Sequence, residues 1–183
     1  MAYNFSNIKV LVVENNTAMF SLIKNVLGAF GISKIYSAYS VDEGFKEFQR
    51  RSPDLVIIDW LDEENGGVNL TAKIRQTDNS VNPFVPVIMM TGYSQKRRVI
   101  MARDSGITEF IVKPFTAKAL YDKVESIIER PRQFVKADSF FGPDRRRKRD
   151  GYSGTDRRQN AASPPLPTPP KDDEFFIDFK DKD

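Results

Sequence analysis

The chain has 183 residues, with 28 Lys plus Arg against 25 Asp plus Glu, a formal net charge of +3, 40% hydrophobic residues, and neither cysteine nor histidine. That length holds one domain of about 100–150 residues with a surplus, and a charge so near balance does not by itself mark a nucleic-acid binder. Without cysteine and histidine there are no disulfides, no thiolate or imidazole metal sites and no histidine-based catalytic dyads, which removes most hydrolase and zinc chemistries.

The opening Met1-Ala2-Tyr3-Asn4-Phe5 lacks a basic region followed by an apolar core. No apolar run approaches the ~18 residues of a membrane span, so a cytoplasmic protein with no membrane contact is expected. Ile8 to Val13 reads as a buried strand that ends in Glu14-Asn15-Asn16. Thr17 is the expected N-cap of a helix carrying Met19, Leu22, Ile23, Val26 and Leu27 at helical spacing, closed by Gly28 or Gly31. A short strand near Ile35 to Ala38 leads to the capping box Ser40-Val41-Asp42-Glu43 and a helix with Val41, Phe45 and Phe48 on one side, broken by Pro53. Leu55-Val56-Ile57-Ile58 is a continuous apolar run, the pattern of a strand covered on both faces, and it hands Asp59 to an acidic, glycine-containing loop. A short helix around Asn69 to Gln76 and a surface connection from Thr77 to Pro86 precede the strand Val87 to Met90, which ends at Thr91. A helix over Ser94 to Ser105 is expected to turn Val99 and Ile100 inward and Lys96, Arg97, Arg98 and Arg103 outward. The strand Phe110 to Val112 ends at Lys113-Pro114, and the helix from Thr116 to about Arg130 carries the stripe Leu120, Val124, Ile127 and Ile128.

Strands alternating with helices predict an α/β fold with a parallel sheet, helices on both faces and right-handed crossovers. The polar residues that follow the strands, namely Glu14, Asn15, Asp59, Thr91 and Lys113, then share one sheet edge, where open α/β sheets gather ligands. Carboxylates and an amide without histidine or cysteine make a hard oxygen site suited to magnesium. Thr91 adds a hydroxyl donor and Lys113 a point positive charge. The set fits a phosphoryl group carried on Asp59, a competent covalent acceptor whose developing charge a metal and a lysine neutralise. The blander alternative has Asp59 capping a loop, Lys113 as its structural ion-pair partner, and Thr91 capping the next turn.

On these residues the segment 7–130 resembles the receiver domain of two-component response regulators. The resemblance rests on Leu11-Val12-Val13-Glu14-Asn15, Pro53-Asp54-Leu55-Val56-Ile57-Ile58-Asp59, Pro86-Val87-Ile88-Met89-Met90-Thr91-Gly92 and Phe110-Ile111-Val112-Lys113-Pro114-Phe115, four pieces in order. It implies a doubly wound, flavodoxin-like, five-stranded parallel sheet of order 2-1-3-4-5. It further implies a signalling receiver rather than an enzyme, catalysing at most its own phosphorylation and dephosphorylation. Asp59 would take a phosphoryl group from a histidine kinase or phosphotransfer protein, and Thr91 and Lys113 would hold the phosphoryl oxygens. Magnesium would sit on Glu14, Asn15, Asp59 and the backbone carbonyl of Leu61, Thr91 and Phe110 would form the switch, and output would go to a protein target. The chain departs from the family pattern at Glu14-Asn15, where two acids are usual, and after Asp59, where Asp62-Glu63 and Gly66-Gly67 replace Met-Pro and Asp-Gly. A pseudo-receiver that switches without phosphate, or a phosphate sink, is the alternative.

After Arg130 the composition changes. Gly142-Pro143-Asp144-Arg145-Arg146 and Gly154-Thr155-Asp156-Arg157-Arg158 form a short repeat, and residues 131–160 read as a basic segment: a docking segment, a solvated linker or, less favoured, a nucleic-acid contact. Residues 161–183 read as a proline-rich spacer followed by the acidic, aromatic stretch Asp172 to Phe179, expected to be disordered and to order on a partner or fold back onto the basic residues. No helix-turn-helix output domain fits this region.

Overall fold

A computed structural model describes residues 5–61, 65–76, 78, 80–92, 95–137 and 140–144. Five strands, β1 (Lys9–Val13), β2 (Lys34–Ala38), β3 (Leu55–Asp59), β4 (Val87–Thr91) and β5 (Glu109–Val112), pair in parallel in the order 2-1-3-4-5. They alternate with α1 (Thr17–Ala29), α2 (Val41–Arg51), α3 (Gly66–Arg75), α4 (Lys96–Asp104) and α5 (Ala117–Glu129).

The period of two along each strand decides which face a residue joins. Leu11, Val13, Val56, Ile58, Val87 and Met89 pack with Phe48, Leu70, Ile74 and Ala102 of α2, α3 and α4. Their neighbours Val10, Val12, Leu55, Ile57, Ile88 and Met90 pack with Ile23 and Leu27 of α1 and Leu120 and Val124 of α5. Both faces are buried, which is why β1, β3 and β4 read as unbroken apolar runs.

The helix ends follow local chemistry, with some changes from expectation. Asn16, not Thr17, caps α1: its Oδ1 accepts from the Met19 amide at 3.0 Å. Of the two candidate glycines, Gly31 closes it at φ 87, with Ile32 N–H bonded to the Leu27 carbonyl and Gly31 N–H to that of Gly28, a Schellman ending. The capping box forms with one change: Ser40 Oγ accepts from Glu43 N–H, and Glu43 Oε2 reaches back one residue further, accepting from Tyr39 N–H. In α4 Ile100 is exposed; Ala102 is the buried residue, Met101 packs against the core, and Arg98 lies half-buried with its guanidinium 5.1 Å from the centre of the Trp60 ring. Ser94 lies outside the described residues, and α4 begins at Lys96.

The chain after Arg130, where no periodic pattern was expected, forms an antiparallel hairpin of β6 (Phe134–Ala137) and β7 (Phe140–Pro143). It packs on the foot of the sheet, where β4 and β5 begin. Phe134 and Phe141 meet Phe84 edge-on at 5.2 and 5.3 Å between ring centres. Arg75, at the end of α3, ties this end together. It donates from Nε to the Gly106 carbonyl at 2.9 Å, from Nη1 to the carbonyls of Pro83 and Val85 at 2.7 and 2.8 Å, and lies 5.0 Å from the Phe134 ring. Burial pushes this guanidinium down to about 9, which leaves it charged at neutral pH.

Candidate functional site

The strand register assembles the opposite, carboxyl end of the sheet. Val13 pairs with Ile58, so Glu14 emerges beside Asp59; Thr91 pairs with Val112, so Lys113 follows one residue beyond it. The Lys113 amide donates to the Thr91 carbonyl at 2.7 Å, which fixes that corner, and the Lys113-Pro114 peptide bond is cis.

Lys113 Nζ reaches back across the edge to Glu14 Oε2 at 2.7 Å and Asp59 Oδ1 at 2.8 Å. Glu14 is almost fully buried, and its other oxygen accepts from the Asn16 amide at 3.0 Å. Asp59 is half-buried, and its Oδ2 has no hydrogen-bond partner among the described residues. Burial alone would pull the Lys113 ammonium down, but hydrogen bonds to Asp59 and Glu14 together with their charges outweigh it and hold the lysine above its ordinary value. Two carboxylates against one ammonium leave the trio with an excess negative charge facing solvent.

Of the remaining expected residues, Thr91 is fully buried as the last residue of β4, and Asn15 is exposed. Phe110 is half-buried and packs against the core face formed with α2, α3 and α4. Leu61 is buried at φ 51, a left-handed backbone uncommon for a branched side chain, and its carbonyl accepts from Gly66 N–H at 3.3 Å. Asp62 and Glu63 lie outside the described residues. The glycine pair has a steric reason that composition did not reveal: a Cβ on Gly67 would fall 2.2 Å from the Asp59 carbonyl oxygen. Only glycine lets α3 start this close beneath the acceptor.

Receiver domains generally bind magnesium at the phosphorylation site. The expected donors, the carboxylates of Asp59 and Glu14, the side-chain amide of Asn15 and the carbonyl of Leu61, are all oxygen, the chemistry of a hard cation. Among the described residues no group of three or more His, Cys, Asp or Glu is placed to hold a metal, so such a cation would depend on the amide and carbonyl donors.

The fold and this site define a receiver, and sequence comparison agrees: the response regulator receiver domain family matches residues 10–125, and the chain belongs to that family. Its members are signalling modules phosphorylated by histidine kinases and acting on other proteins. The chain is 34% identical over 121 residues to the chemotaxis protein CheY1 of Helicobacter pylori, covering 66% of this chain and 96% of that one. It is 30% identical over 124 residues to CheY-3 of Vibrio cholerae, covering 68% and 94%. Among solved structures, the receiver domain of NtrX from Brucella abortus superposes with a TM-score of 0.59 at 27% identity, covering 67% of this chain and 99% of that domain. The chain spans only 26% of the longer NtrX chain. No helix among the described residues is long and apolar enough to cross a membrane.

Proposed function

We propose that this chain is a phosphorylation-dependent switch with Asp59 as its acceptor. The observation that carries the proposal is Lys113 Nζ bridging Glu14 and Asp59 within 2.8 Å at the carboxyl edge of the sheet. An Asp59 carboxylate oxygen attacks the phosphorus of a phosphohistidine on a histidine kinase or phosphotransfer protein. The P–N bond breaks as the acyl phosphate O–P bond forms, and the imidazole leaves. Lys113 is positioned to exchange one carboxylate for a phosphoryl oxygen, and the Thr91 hydroxyl serves as a second ligand for that group. Magnesium, when bound, supplies charge neutralisation on the transferring oxygens; Asp59, Glu14, Asn15 and the Leu61 carbonyl are the residues to hold it. Rearrangement of Thr91 and Phe110 then alters the surface read by a protein target. We place the protein in the cytoplasm.

A second reading has its own support. Both Glu14 oxygens are engaged and Asn15 is neutral, which weakens cation attraction and favours a receiver that binds its target without phosphate. Intact mass after incubation with magnesium and acetyl phosphate separates the two. A phosphoryl adduct that disappears in Asp59→Asn is expected, together with a change in fluorescence of Trp60, the single tryptophan, buried one residue after the acceptor. An unmodified wild-type mass would establish the phosphate-independent reading.

A further inference from the structure

At the foot of the sheet a groove of about 550 Å³ opens between the end of α5 and the hairpin, lined by Phe84, Pro86, Thr108, Ile127, Pro131 and Phe134. Its volume lies in the ~300–1,000 Å³ range of binding pockets. Phe84 is 55% exposed despite its two ring contacts, so an aromatic surface is left to water. The surrounding charges are mixed, with basic residues in excess over Glu109 and the exposed Glu129. Glu109 is shared between Lys123 Nζ at 2.9 Å and Arg132 Nη2 at 2.6 Å, and Arg130 and Lys136 are exposed on the adjoining chain. None of these residues takes part in the phosphoryl chemistry. Pro86 and Thr108 precede the strands that Thr91 and Val112 end, so the groove lies about 16 Å from the site at ~3.3 Å per strand residue.

The sequence carries a segment of complementary chemistry. Residues 172–179 place Phe175, Phe176, Ile177 and Phe179 among Asp172, Asp173, Glu174 and Asp178, four large apolar side chains with four carboxylates. Between Asp144 and this segment lie residues 145–171, 27 positions. Fully extended, that length spans at most about 90 Å at ~3.3 Å per residue, and it leaves the domain at Asp144, bonded to Gln133 on the lining of the groove, so the segment can reach the groove of its own chain.

We propose that residues 172–179 dock in the groove of their own chain, with phenylalanines against Phe84 and Phe134 and carboxylates over Arg130 and Arg132. The test uses the full chain, whose lack of cysteine lets Lys180→Cys carry a single nitroxide label. In the 15N-labelled protein without phosphoryl donor, the amide signals of Phe84, Thr108, Gln133 and Phe134 are expected to broaden beyond detection while Asn15 keeps its intensity. Either Phe175→Ser/Phe176→Ser/Phe179→Ser or Arg130→Glu should restore them; the first lies outside the described residues and the second changes an exposed side chain at the end of α5. Unchanged groove signals, broadening confined to residues 145–158, or broadening that survives both sets of substitutions would overturn the proposal. So would groove broadening in a dilute mixture of label-bearing 14N chains with unlabelled 15N chains, since that places the segment in a neighbouring copy.

Discussion

At the scale of single residues the site is organised by one ammonium serving two carboxylates. Removing it in Lys113→Met leaves Glu14 and Asp59 facing each other without compensation, at side-chain exposures of 2% and 15%. Losing one partner of a buried ion cluster costs about 3 kcal/mol, and urea unfolding at pH 7 should show a loss of that order, partly recovered by millimolar magnesium. The pH dependence has a defined sign. Because the folded state raises Lys113 above 10.5, its contribution is fully present below 10.5 and disappears as pH rises through the raised value. From pH 7 upward the stability gap between wild type and Lys113→Met should therefore be constant to about 10 and close in stronger alkali. Gly67→Ala should cost about 1–3 kcal/mol through overpacking and reduce the phosphoryl adduct by displacing the strand end that bears Asp59; adduct and melting temperature unchanged from wild type would refute this. The placement of Asp59, Thr91 and Lys113 at the strand ends was legible because each directly follows an apolar run, and register brings those ends to one edge. The clamp by Lys113 on Glu14, the close approach at Gly67 and the stacking of Arg98 on Trp60 were not legible, since each depends on two segments meeting that no local pattern links.

Among the elements, the central strands β1, β3 and β4 follow from apolar runs buried on both faces, the edge strands β2 and β5 are only partly buried, and α1, α2, α3 and α5 follow from an inward apolar stripe. α4 was the weakest reading: its nine residues carry three adjacent charges, Lys96, Arg97 and Arg98, and its inward side is set by Met101 and Ala102, so Ile100 misled, while Val99 is half-buried. The hairpin was missed for a different reason. Two strands alone are marginal in water, and these depend on Phe84 and on a glycine contact, where a Cβ on Gly142 would lie 2.9 Å from the Gly106 Cα. Arg75 joins that assembly to α3. Arg75→Met removes three hydrogen bonds to carbonyls and is expected to destabilise the protein by about 3 kcal/mol at roughly 1 kcal/mol per bond, with hydrogen exchange accelerated first at β6 and β7. A loss below about 0.5 kcal/mol, the range of neutral surface changes, would show those carbonyls to be satisfied otherwise.

For the whole molecule, membership of the receiver family covers residues 10–125, yet the packed structure reaches past them to Asp144, whose amide donates to the Gln133 carbonyl at 2.7 Å. A chain ended at Arg130 should melt several degrees below one ended at Asp144, since it strips the aromatic cover from Phe84 and the ring from Arg75; coincident melting curves would make the hairpin an ornament. The basic repeat beyond Asp144 and the stretch from Asp172 lie outside the described residues, and their composition alone carries the readings given for them. The hairpin also has a consequence for traffic around the protein. By folding back on itself it ends at Asp144, whose amide is tied to the Gln133 carbonyl at the foot of the sheet, about 16 Å from the edge that carries Asp59. The tail docking proposed above therefore leaves the carboxyl edge of the sheet, with Asp59 and Lys113, uncovered.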